Sequence, residues 1–139
     1  MKEPRSKIAT IARYYWISIV IAIIISYLSL APGDEFSRIP HFPNEDKAVH
    51  FLMYFGLAFV LFWNSIICFG IATMKLRKLW FFMIGIPVIW GGCMELLQRY
   101  CTTTRTGDWL DELTNTLGAI AGFFFGRWIL PKILKRKLK

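Results

Sequence analysis

The sequence predicts an all-α integral membrane protein, a bundle of four transmembrane helices with both termini cytoplasmic. Three observations carry this expectation. The 139 residues are 55% hydrophobic and 17% aromatic, and the apolar residues fall in four long runs. Each run, with its flanks, approaches the roughly 20 residues that cross a hydrocarbon core. The net charge of +8 comes from basic residues gathered at one side of those runs.

The first span, about 14–30, is the uncharged stretch "YYWISIVIAIIISYLSL". Lys2, Arg5, Lys7 and Arg13 precede it, as in a signal peptide. The run is longer than a usual h-region, and Pro32 follows the small-residue site Ser29-Leu30-Ala31, so an uncleaved span is expected. The second span, about 48–70, is uncharged apart from His50. The third, about 79–98, contains "LWFFMIGIPVIWGGCM" and reaches Glu95. The fourth, about 110–130, carries Arg127 and ends at Pro131. Cys68, Cys93 and Cys101 have no metal-ligand or redox spacing and are read as small hydrophobes.

Basic residues lie before span one, between spans two and three, and after span four. Only Arg38, Lys47, Arg99 and Arg105 are left for the other side. By the positive-inside rule the termini and the middle loop are cytoplasmic. The tail "PKILKRKLK" is then a topology signal, and it can also attract anionic headgroups. Nucleic acid is not an expected partner, because no folded module presents those charges. The acids are distributed oppositely, with only Glu3 on the cytoplasmic side. Insertion does not require that bias.

Three polar stripes meet at the outer end. Lys47, His50 and Tyr54 share one face of span two, and Asn44 is its expected N-cap, with Glu45 and Asp46 in the first turn. Gly91, Glu95 and Gln98 form a stripe on span three. An acid flanked by a full membrane run is costly and marks a functional candidate. Asp108, Asp111 and Asn115 form the third stripe, which Gly118, Gly122 and Gly126 continue as a small-xxx-small packing seam. Thr106 or Asp108 could cap this helix. Arg105 and Lys47 supply positive charge opposite the acids.

The blocks "DKAVHFLMYFGLAF", "ELLQRY" and "RTGDWLDELTNTLGAIAG" resemble, in order and spacing, those of the VanZ family of small bacterial membrane proteins, named after a teicoplanin-resistance accessory protein. The resemblance covers residues 46–122 specifically and the four-span layout more loosely, making 1–139 a single VanZ-like membrane domain. It implies a multi-pass protein of the bacterial cytoplasmic membrane, linked to the cell envelope and in some members to glycopeptide tolerance. The family's polar positions fall on Asp46, Lys47, His50, Glu95, Gln98, Arg105, Asp108, Asp111 and Asn115.

The expected function is recognition of a cell-envelope or lipid-linked component by an extracytoplasmic polar pocket built from those nine residues. Lys47 and Arg105 would meet phosphate, while Glu95, Asp111, Gln98 and Asn115 would bond sugar or peptide groups. The alternative is a membrane-embedded enzyme acting on lipid headgroups. In it His50, with Glu95, Asp108 or Asp111, performs acid–base work or holds a divalent metal. No nucleophile elbow, paired metal-ligand motif or phosphate loop accompanies them, so no cofactor or metal is expected. A purely structural polar network ranks third. A transporter ranks last, for want of an internal repeat, and a homo-oligomer packed on the glycine seam stays open.

Overall fold

The computed structural model describes residues 7–32, 45–70, 77–103 and 108–137. They form four α-helices: α1 (Lys7–Leu30), α2 (Glu45–Phe69), α3 (Arg77–Cys101) and α4 (Trp109–Lys137). All four are long and apolar enough to cross a membrane. Each extends beyond the predicted apolar run, because backbone hydrogen bonding continues into polar flanks that hydropathy discounts. The largest difference is at α4, predicted to stop before Pro131 but helical through Lys137. One proline removes one helix hydrogen bond. Membrane-type helices tolerate that loss when neighbouring groups make it good, and α3 likewise runs through the buried Pro87.

Side-chain pairings fix the directions. Tyr15 near the start of α1 meets Ser65 near the end of α2 at 2.7 Å, and Ser18 meets Asn64 at 2.8 Å. These two helices are therefore antiparallel. Gln98 and Ser29, both near the ends of their helices, join α3 to α1 in parallel. Helices α2 and α4 are also parallel, and their interface is the most extensive in the molecule. The resulting up-down-up-down bundle places the starts of α2 and α4 beside the ends of α1 and α3.

The glycine seam explains why α2 and α4 pack so closely. A Cβ on Gly118 would overlap the carbonyl oxygen of Phe51, and one on Gly122 that of Phe55. At Gly126 the obstacle is the Phe62 ring, 2.9 Å away. The seam is thus filled by α2 of the same chain. The register advances by one helical turn on each side, so backbones stay in contact along the seam.

Two apolar clusters complete the core. Phe62, Ile66, Met83, Phe123 and Leu130 join α2, α3 and α4, while Ile25, Tyr54, Leu57 and Leu61 join α1 to α2. At this end of the bundle Arg127 lies over the Trp80 ring at 4.4 Å and Lys132 over Trp128 at 3.7 Å. In both, the charged head itself sits over the ring face, a cation–π contact. Helix α2 ends on Gly70, whose positive φ of 82° lets its N–H close back on the Ile66 carbonyl at 2.7 Å. The ionisable side chains Asp46, Lys47 and His50 lie at the opposite end of α2.

Candidate functional site

The starts of α2 and α4 and the end of α3 deliver acids, a lysine and a histidine to one end of the bundle. At the start of α4, Asp108 caps the helix by accepting the Leu110 N–H at 3.1 Å, as the sequence allows. Its own N–H donates to Glu95 Oε2 of α3 at 3.1 Å. In a capping box the residue three positions on would take that N–H. Here another helix supplies the carboxylate, and Asp111, at that third position, is released to face α2.

Asp111 uses that freedom to meet Lys47. The Lys47 ammonium lies 3.5 Å from Asp111 Oδ1 and 3.9 Å from Asp108 Oδ2. Lys47 is half-buried and Asp111 buried, so the pair is less screened than a surface bridge. One turn further along α2, His50 is 3% exposed. Its Nδ1 lies 3.0 Å from Asn115 Oδ1 and 4.0 Å from Glu95 Oε1, and its Nε2 lies 3.8 Å from Asp46 Oδ1. Asn115, fully buried, donates through Nδ2 to Glu112 Oε2 at 3.2 Å. That donation turns the amide so that its oxygen faces His50. The imidazole therefore donates from Nδ1, and its Nε2 edge faces Asp46.

Glu95, Asp108 and Glu112 also line a cleft of about 270 Å³ between α3 and α4, together with Gly92, Leu96, Arg99 and Trp109. Small residues make this approach possible. A Cβ on Gly91 would sit 2.7 Å from Glu112 Oε2 and 3.0 Å from Asn115 Nδ2. Glu95 Oε1 is buried with no hydrogen-bond partner among the described residues.

Seven of the nine expected site residues form this connected cluster: Asp46, Lys47, His50, Glu95, Asp108, Asp111 and Asn115. Gln98 goes elsewhere. Its amide donates to the Ser29 carbonyl of α1 at 2.7 Å, tying the two helix ends together. Arg105, Thr106 and Asn44 lie outside the described residues.

Two contributors escaped the sequence reading. Glu112 was counted only as an outer acid, although its spacing of three from Asn115 places both on one face. Tyr15, Ser18, Asn64 and Ser65 form a second polar contact near the other end of the bundle. Ser65 donates to the Leu61 carbonyl at 2.7 Å, so Tyr15 is the donor in their pair. Buried Ser and Asn inside apolar runs were the available signal.

A protein of Schizosaccharomyces pombe, described only as uncharacterized, is 31% identical over 102 residues, which is 73% of this chain. The chain spans about half the length of that relative, 55%. No protein-family model matches the chain, and no solved structure matches it.

Proposed function

We propose that the chain is a VanZ-like multi-pass membrane protein whose acidic end faces away from the cytoplasm and recognises a lipid headgroup or lipid-linked envelope component. The observation that carries this reading is the cleft between α3 and α4 beside the buried polar cluster. At about 270 Å³ it lies just under the usual range for small-molecule sites, which suits a headgroup better than a whole lipid. Leu96 and Trp109 offer apolar contact, Trp109 of the kind found at membrane interfaces. Glu95, Asp108 and Glu112 offer acceptors, and Arg99 is the cation beside them.

This lining revises the roles expected from sequence. Lys47 is engaged by Asp111 and Asp108, so in this reading Arg99 meets phosphate. The carboxylates meet hydroxyl or ammonium donors on the same headgroup. Orientation follows the charge pattern: Arg13, Arg77, Lys78 and Lys132 stand at the opposite end, which is cytoplasmic under the positive-inside rule. A bacterial cytoplasmic membrane and an effect on teicoplanin susceptibility belong to the VanZ-like part of the proposal. Comparing a deletion strain with its parent tests that part.

Native mass spectrometry of protein purified in mixed micelles tests the pocket. The probes are phosphatidylethanolamine, phosphatidylglycerol and a polyprenyl-phosphate-linked sugar. One of them should be retained by the wild type and by Lys132→Ala, and lost from Arg99→Ala and Glu112→Ala. Equal retention in all four proteins would overturn the assignment.

A further inference from the structure

We propose that Asp46, His50 and Asp111 form a binding site for one divalent transition-metal ion of the zinc class. This goes beyond headgroup recognition and does not rest on it, since the ion can be measured with no lipid substrate present.

The three side chains come from two parallel helices. Asp46 and His50 stand one turn apart on α2, and Asp111 stands at the start of α4. One ligand atom from each lies within 4.8 Å of the other two. Zinc bonds of about 2.0–2.2 Å place tetrahedral ligand atoms roughly 3.4 Å apart, so the carboxylates need to close in by at most about 1.4 Å. Asp46 is exposed and free to swing. His50 and Asp111 are buried, which fixes two of the three positions.

The histidine points to a cation independently of the acids around it. Asn115, held by Glu112, accepts the hydrogen bond from Nδ1–H. The Nε2 of a residue only 3% exposed then makes no hydrogen bond among the described residues and is directed at carboxylate oxygen. In the neutral ring Nε2 is a ligand atom facing a carboxylate across 3.8 Å, and a cation between the two would bond both. Metal-binding histidines are held in this manner, with the far ring nitrogen donating to an outer acceptor that fixes tautomer and orientation. Here Asn115 is that acceptor.

Charge supports the same conclusion. Among the described residues Asp46, Glu95, Asp108, Asp111 and Glu112 gather at this end with Lys47 and Arg99 as their cations, and Lys47 stands 3.5 Å from Asp111. It therefore competes with an ion for that carboxylate. Lys47 is long and half-buried, so it can withdraw toward the helix end. Three protein ligands leave a fourth position open, where a bound ion could polarise a phosphoryl oxygen or activate water. Nitrogen and carboxylate donors together favour zinc or manganese over calcium.

The test uses full-length protein without a histidine tag, in a background where Cys68, Cys93 and Cys101 are serine so that thiolates cannot bind zinc. After equilibration with zinc and dialysis, mass spectrometry should find one ion per chain. Calorimetry should show binding weakened by about 10–100-fold in Asn115→Ser and by at least as much in His50→Gln and Asp111→Asn. Lys47→Gln should bind up to about fivefold tighter, because the competing ammonium is gone. That gain does not depend on how well the weakened variants fold. A wild-type chain that leaves dialysis without metal would overturn the site, as would unchanged affinity in His50→Gln. A Lys47→Gln chain that binds no tighter would overturn the placement of the ion beside Asp111.

Discussion

Glu95 of α3 accepts the backbone N–H of Asp108, the N-cap of α4, at 3.1 Å. A carboxylate from one helix thus completes the start of another and releases Asp111 toward Lys47 and His50. Local capping chemistry and the assembly of the polar cluster are one arrangement.

Replacing Glu95 separates those roles. Glu95→Gln keeps a carbonyl acceptor for the Asp108 N–H and should cost under about 1 kcal/mol. Glu95→Ala leaves that N–H unpaired and should cost about 1.5–3 kcal/mol. Thermal unfolding in detergent micelles measures both. Equal losses would show that the capping bond contributes little.

The glycine seam predicts a graded response. Gly118→Ala and Gly122→Ala drive a methyl into the backbone of α2, which cannot rotate aside, so each should cost more than about 2 kcal/mol. Gly126→Ala meets a ring that can tilt and should cost less. At Gly56 a Cβ meets nothing within 4 Å, and alanine there should stabilise the helix by about 0.5–1 kcal/mol. Unfolding midpoints of the four variants should follow that order.

His50 and Asn115 should be energetically coupled. A double-mutant cycle with His50→Ala and Asn115→Ala should return about 0.6–1.7 kcal/mol, the range for hydrogen bonds within membrane bundles. Additive losses would place the two side chains in separate networks.

Orientation can be read by labelling. In a cysteine-free background, Asp46→Cys should react with an impermeant maleimide from the extracytoplasmic side. Lys132→Cys should react only from the cytoplasmic side. The reverse pattern would invert the proposed topology.

Much of this was legible in the chain. The four apolar runs specify four helices because burial of apolar surface does not depend on what each helix touches. The spacings of Lys47 and His50, of Asp108, Asp111 and Asn115, and of the three glycines specify helix faces, because 3.6 residues per turn holds in any setting. Partner choice was not legible. Gln98 shares a stripe with Glu95 yet reaches across to Ser29, because the end of α1 lies within its reach. Glu112 has the same charge as Asp111 but turns to α3 and Asn115 instead of Lys47.

The sequence alone therefore determined the helices, their polar and glycine faces, and the end of the bundle at which the acids collect. All of these follow from local periodicity and charge. Tertiary structure decided that α4 lies in parallel against α2, that Glu95 caps a neighbouring helix, and that Asn115 sets the imidazole so that Nε2 faces Asp46. Those outcomes depend on contacts between residues 13 to 67 positions apart, and such distances are set by how close two backbones can come.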